Sequence, residues 1–328
     1  MTRTMTQPQT ISPPSALDWM FVLASFWFIA GLYLDGWAHN NLPGLETFFT
    51  PWHAVLYSGF FAAFVCSAYA FWQSRTRPEL RAYRLSFFGG LVFIAAGAMD
   101  MVWHTLLGIE ADIAALLSPP HLILATSAFL TMSGPVRAAW NQPKPTITAL
   151  LSLGVVYALL TFFTMYAVPM LDSAGIDGGW QTKSNGVMAV LISSAMMSGV
   201  VLYFMRRWKL SGGHLVLMLL PAQLGLVFQG RFDASVIQLY YLTVAVSLLV
   251  LEVARSILQP STQRVAAFRT MAFLIPAVFS LTYFLGVLLT GHMNWEFHLW
   301  VGAVFGAGVM GLLLSYLTLP PAITPEVA

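Results

Sequence analysis

A succession of long apolar segments constrains the fold more than any other feature of the sequence. The hydrocarbon core of a bilayer is about 30 Å thick, and a helix needs roughly 20 apolar residues to cross it. About ten segments of this kind follow one another, at 17–35, 51–73, 85–106, 119–137, 146–170, 186–206, 214–229, 235–257, 269–291 and 296–318. A helix satisfies its backbone hydrogen bonds within one segment, as lipid requires. The sequence therefore predicts an all-α, polytopic integral membrane protein.

The composition excludes the soluble classes of protein. Only 9% of the 328 residues are charged, against roughly 25% in a typical soluble domain. A net charge of +2 is too small to indicate a nucleic-acid partner. We expect the lipid bilayer to be the main partner. Because so little of the chain lies outside the bilayer, partner membrane subunits or a homo-oligomer are also expected.

The chain is predicted to form one transmembrane domain over residues 1–328. Within it we expect a short cytoplasmic tail over 1–16, two repeated helical hairpins over 17–140 and the remaining helices over 141–318. The polar start leads into an apolar run that is too long for a cleavable signal peptide. The segment 214–229 is short for a span, and we expect it to be tilted, kinked or buried among its neighbours.

The basic residues predict the orientation of the chain, because lysine and arginine accumulate in short cytoplasmic loops. An arrangement with both termini in the cytoplasm places 13 of the 15 basic residues on the inner side. Only Lys183 and Arg231 then fall outside. The sequence therefore predicts a plasma (inner) membrane protein whose N- and C-termini are both cytoplasmic.

Two hairpins near the N-terminus repeat one pattern of aspartate and histidine. In each, an aspartate is followed four residues later by a histidine, and a second histidine closes a Thr-Pro-x-His or Ser-Pro-x-His sequence. The intervening stretch between the two histidines has 13 residues in one hairpin and 16 in the other. The six residues are Asp35, His39 and His53 in the first hairpin, and Asp100, His104 and His121 in the second.

The spacing predicts that each set of three side chains converges near the outer face. Residues four apart lie on one face of a helix. A Thr or Ser followed by Pro is typical of a helix start, with the hydroxyl residue as N-cap and Pro at the first helical position. The second histidine then lies in the first turn, where two antiparallel helices meet. The hairpins thus resemble an internal repeat.

Two imidazoles and a carboxylate form a ligand set suited to copper, iron or zinc. The six residues could form two mononuclear sites or one shared dinuclear site. A structural alternative is that Asp35–His39 and Asp100–His104 are hydrogen-bonded pairs that orient the hairpins. Further candidate ligands at the outer face are Glu110, His292, Glu296 and His298, and Glu46, Glu110 or Glu296 could relay protons.

The Asp35-x3-His39…His53 pattern resembles the copper site in the C subunit of particulate methane and ammonia monooxygenases. That family uses an Asp, a His four residues on and a second His after about a dozen residues, all within a membrane bundle. The resemblance implies that Asp35, His39 and His53 bind copper.

The favoured function is that of a metal-dependent membrane oxidoreductase, monooxygenase-like, or a subunit of one. Copper is the favoured metal, with iron or zinc as alternatives. A metal-ion transporter or delivery protein would use the same outer cluster as an entry site, but the spans offer few polar groups further inward. A zinc-dependent membrane hydrolase would need a carboxylate base beside the metal. Haem ligation is disfavoured, because the histidines lie too near the surface.

Overall fold

The computed structural model describes residues 15–42, 49–108, 112–171, 173–230 and 234–321. These residues form helices and no β-strand, which confirms the predicted all-α class. The helices are α1 (Ala16–Asn41), α2 (Pro51–Gln73), α3 (Arg84–Leu107), α4 (Asp112–Leu117), α5 (Pro119–Met132), α6 (Gly134–Ala139), α7 (Ile147–Phe163), α8 (Trp180–Arg207), α9 (His214–Leu226), α10 (Ala234–Leu258), α11 (Val265–Leu289) and α12 (Phe297–Thr318).

Eight helical segments within the described residues are long and apolar enough to cross a membrane. They are α1, α2, α3 with the short 3₁₀ helix before it, α5 continued by α6, α8, α10, α11 and α12. All ten predicted segments overlap a helix, but α7 and α9 have only 17 and 13 residues. At 1.5 Å per residue these two are about 26 and about 20 Å long, shorter than the bilayer core.

The shorter helix α7 is buried among other helices around nearly its whole circumference. A helix that is apolar on all sides and enclosed by neighbours need not match the bilayer thickness. It ends at Phe163, seven residues before the predicted end, where the chain turns through a 3₁₀ helix at Met165–Ala167. The other short helix, α9, carries Pro221 in its interior.

The first hairpin is held together by close contact between the backbones of α1 and α2. A Cβ atom added at Gly31 would lie 2.6 Å from the Cα of Leu56, and one added at Gly59 would lie 2.5 Å from the backbone nitrogen of Phe28. Small residues at such crossings let membrane helices approach closely. This contact brings the end of α1 beside the start of α2.

The second hairpin is fixed by contacts between α3 and α5. A Cβ atom at Gly89 would lie 2.9 Å from the Thr131 hydroxyl. At the opposite end from the histidines, the half-buried guanidinium of Arg137 donates to the Ala82 and Leu130 carbonyls and to the hydroxyls of Ser86 and Ser133. Neutral acceptors from α3, α5 and the chain before α3 thus surround one cation and fix the register of this hairpin.

Candidate metal centre

The first hairpin brings Asp35, His39 and His53 together. Asp35 and His39 lie one turn apart near the end of α1, and the Thr50 hydroxyl accepts the backbone N–H of His53 in the first turn of α2. The Nε2 atoms of His53 and His39 lie 3.2 and 3.7 Å from the Asp35 carboxylate oxygens. Each of the three side chains offers a ligand atom within 4.8 Å of the other two. We call these residues the first cluster.

The second hairpin repeats this arrangement with Asp100, His104 and His121, which we call the second cluster. Asp100 is almost fully buried near the end of α3, and His121 lies in the first turn of α5. One oxygen of Asp100 lies 3.4 Å from Nε2 of His104 and 3.5 Å from Nε2 of His121. The ligand atoms again lie within 4.8 Å of one another.

The separations between carboxylate oxygens and imidazole nitrogens match those around a coordinated ion. Two ligand atoms that each lie about 2.0–2.2 Å from a metal, at a tetrahedral angle, are roughly 3.3–3.6 Å apart. The four Asp–His separations run from 3.2 to 3.7 Å. A charge-assisted hydrogen bond is shorter, about 2.7–2.9 Å. The groups in each cluster are therefore spaced widely enough to hold an ion between them.

The carboxylate of the first cluster is buried. Its Oδ1 atom lies 3.2 Å from Nε2 of His53 but accepts no hydrogen bond of good geometry from the described part of the chain. A buried carboxylate oxygen needs a compensating partner, because its desolvation is costly. Two neutral imidazole nitrogens and a carboxylate oxygen facing one space are suited to bind a divalent cation.

The two repeats differ at the hydroxyl residue before the helix. Thr50 acts as the predicted N-cap of α2, with its hydroxyl 3.2 Å from the His53 nitrogen. Ser118 has the extended backbone of a cap, but its hydroxyl makes no capping hydrogen bond. It lies instead 2.7 Å from Nδ1 of His121. Ser118 thus contacts the far side of a candidate ligand ring, whereas the sequence pattern had indicated only a helix start.

The two clusters are neighbours, and Tyr57 lies between them. Tyr57 is one turn beyond His53 on α2, and the centroids of these two rings are 6.1 Å apart. A Cβ atom at Gly97, one turn before Asp100, would lie 3.3 Å from the Tyr57 hydroxyl. The hydroxyl is within electrostatic range of both cluster carboxylates. The repeated pattern does not include Tyr57, although its spacing of four from His53 places it on the same helical face.

The remaining candidate ligands do not join either cluster within the described residues. Glu296 accepts hydrogen bonds of 2.7 and 2.8 Å from Lys183, and this interaction lowers the pKa of Glu296. His292 and His298 flank it at the start of α12, and among the residues that the structure describes they belong to no group of three possible ligands. Glu46 and Glu110 lie outside the described residues.

The described part of the chain thus contains two clusters, each of two histidines and one aspartate, that could hold a metal ion. Both lie where two long apolar helices meet, so the ligands come from helix ends of a membrane bundle. No protein-family model, curated protein or solved structure matches the chain.

Proposed function

We propose that the chain is a membrane-embedded metal-binding protein that acts as a metal-dependent oxidoreductase, monooxygenase-like, or as a subunit of one. The observation that carries the proposal is the repeated set of two imidazoles and one carboxylate, with all ligand atoms within 4.8 Å of one another. Three protein ligands leave coordination positions open for a reactant, as in other catalytic metal sites. The surrounding apolar helices allow a hydrophobic substrate to arrive from the lipid.

We propose one ion in each cluster rather than a single shared centre. Each carboxylate lies close to both histidines of its own hairpin, so each cluster is a ligand set by itself. Copper is the proposed metal. Imidazole suits copper, iron and zinc alike, and the resemblance of the Asp35–His39–His53 spacing to a known copper site favours copper.

The function is tested by metal analysis of the full-length protein purified in detergent without an affinity tag. We expect two copper ions per chain, one for each cluster, and loss of both in a His53→Ala/His121→Ala double variant. His214→Ala is the matched control, because His214 begins α9 and belongs to neither cluster. A protein that retains no metal and rebinds none on addition of Cu²⁺, Fe²⁺ or Zn²⁺ would contradict the proposal.

The identity of the metal separates the oxidoreductase from the alternatives. Bound zinc, with no redox change, would favour a membrane hydrolase. Metal-dependent uptake of copper into sealed vesicles would favour a transporter. Retained copper that cycles between Cu(I) and Cu(II), without such uptake, supports the oxidoreductase.

We also propose a topology of ten spans with both termini in the cytoplasm, which places the two clusters near the outer face of the plasma (inner) membrane. The support is the distribution of basic residues, of which 13 of 15 lie on the proposed inner side. The exposed residues Gln263 and His292 lie beyond opposite ends of α11. In a Cys66→Ser background, we expect a membrane-impermeant maleimide to label His292→Cys in intact cells. Gln263→Cys should react only after permeabilisation, and the reverse pattern would overturn the topology.

A further inference from the structure

A cavity of about 70 Å³ lies in the bundle among α7, α8, α9, α10 and α11, away from the two clusters. None of the residues that line it is charged. Some of the side chains in its wall are apolar, among them Val244, Met197 and Phe279. Others are neutral but carry hydroxyl or amide groups, among them Ser194, Thr243 and Gln223.

Most of the hydroxyl groups around this cavity already donate a hydrogen bond to the protein. Ser194 donates to the Val190 carbonyl at 2.6 Å, and Thr243 donates to the Tyr240 carbonyl at 2.7 Å. Such bonds within a helix use the hydroxyl proton and turn the oxygen toward the backbone.

The larger polar side chains on the wall bond to one another. The Tyr240 hydroxyl donates to the side-chain carbonyl of Gln223, whose amide in turn donates to the Tyr157 hydroxyl at 3.3 Å. Tyr283 donates to the carbonyls of Pro169 and Ala174 at 3.0 and 2.9 Å. Most of the donors that could have held a water molecule in this cavity are therefore already used in bonds to the protein.

A cavity of this kind is suited to a nonpolar guest. A buried water needs two to four polar partners, whereas an apolar cavity stays dry and takes up benzene or xenon. An engineered cavity that binds benzene is about 150 Å³, and the cavity here is about half as large. The size excludes a benzene-like ring and admits a molecule of only a few heavy atoms.

We infer that this cavity is a binding site for a small nonpolar molecule, either a dissolved gas such as dioxygen or a short hydrocarbon. Such a molecule partitions into lipid and reaches the bundle from there. Of the long helices, α10 is the one least buried by the rest of the protein, and it forms part of the cavity wall. The site shares no residue with the clusters, so it stands whether or not they bind metal.

Xenon is the probe of choice, because it is nonpolar and visible by anomalous scattering. In crystals of the full-length protein under xenon pressure, we expect a xenon atom among α7–α11. Val244→Ala, which enlarges the cavity, should raise its occupancy. Ser194→Leu, which fills the cavity, should abolish it. Leu249→Phe is the control, since Leu249 is 66% exposed on α10, the same helix as Val244.

Two outcomes would overturn the inference. One is a cluster of ordered waters in the cavity of the unmodified protein under xenon. The other is absence of xenon from both the unmodified protein and Val244→Ala, a comparison that does not depend on the filled variant folding. A parallel soak with bromoethane, located by its bromine, separates the two ligand sources. Xenon without bromoethane assigns the site to a dissolved gas, and binding of both assigns it to a short hydrocarbon.

Discussion

Replacing Asp35 by alanine is expected to remove one metal ion per chain and to leave the other bound, and replacing Asp100 should have the reciprocal effect. Each aspartate is the side chain that contacts both histidines of its cluster, at 3.2 and 3.7 Å for Asp35 and at 3.4 and 3.5 Å for Asp100. Loss of a group that merely orients a ligand weakens metal binding about 10–100-fold. Loss of a ligand itself should weaken it by more than about 100-fold at the altered site.

The fold should tolerate both substitutions. Alanine is the best helix former and carries no polar group that needs a partner in the membrane. Both aspartates are buried, so replacing the carboxylate by a methyl group removes a side chain that is costly to desolvate. The variants are therefore informative about metal binding, and a monodisperse elution profile in detergent confirms that they are folded.

Metal content and titration with copper give the readout, and the double variant Asp35→Ala/Asp100→Ala is the reference with no site. If either single variant loses both ions, the six residues form a shared dinuclear centre and not two separate sites. If neither loses metal, the aspartates are not ligands, and their contacts with the histidines serve only to orient the hairpins.

The sequence was sufficient to predict the membership of the two clusters because the determinants are local. A spacing of four places Asp35 beside His39 in any helix, and Pro51 at the first helical position places His53 in the first turn of the next. Convergence of the two helix ends is a tertiary property. It depends on Gly31 and Gly59, whose roles follow only from the position of the opposing helix.

The lengths of α7 and α9 could not be predicted from hydropathy, because a helix enclosed by protein and one facing lipid are both apolar. Tyr57 was missed for a related reason. Its hydroxyl lies near Asp100 because Gly97, on another helix, leaves room for it. The sequence pattern of a single hairpin does not contain that information.

The contact between Ser118 and His121 could not be predicted from the sequence either, because the hydroxyl has more than one hydrogen-bonding partner within reach. An N-cap serine can accept from the backbone of the first turn or bond to another group nearby. Thr50 bonds to the backbone N–H of His53, and Ser118 bonds to the ring of His121. Identical patterns in the two hairpins thus give different contacts to the second histidine.

Ser118→Ala is therefore expected to weaken copper binding at the second cluster about 10–100-fold, which is the usual cost of removing a group that orients a metal-binding histidine. Nε2 of His121 must be unprotonated to bind an ion, so Nδ1 carries the proton and donates it to the Ser118 hydroxyl, 2.7 Å away. Without that acceptor the ring loses its preferred tautomer and orientation. Thr50→Ala removes only a helix cap. It should lower the free energy of unfolding by about 1 kcal/mol and leave the copper affinity of the first cluster nearly unchanged.

The two substitutions are compared in proteins that keep a single cluster. Ser118→Ala is measured in the Asp35→Ala background and Thr50→Ala in the Asp100→Ala background, so that each titration reports one site. The electron paramagnetic resonance spectrum of bound Cu(II) should change with Ser118→Ala and not with Thr50→Ala. Ser118→Thr, which keeps the hydroxyl, should restore both affinity and spectrum. A group that orients His121 must act on the second cluster alone. If Ser118→Ala and Thr50→Ala lower the copper affinity equally, or if Ser118→Ala lowers only the stability of the protein, Ser118 has no more than a structural role.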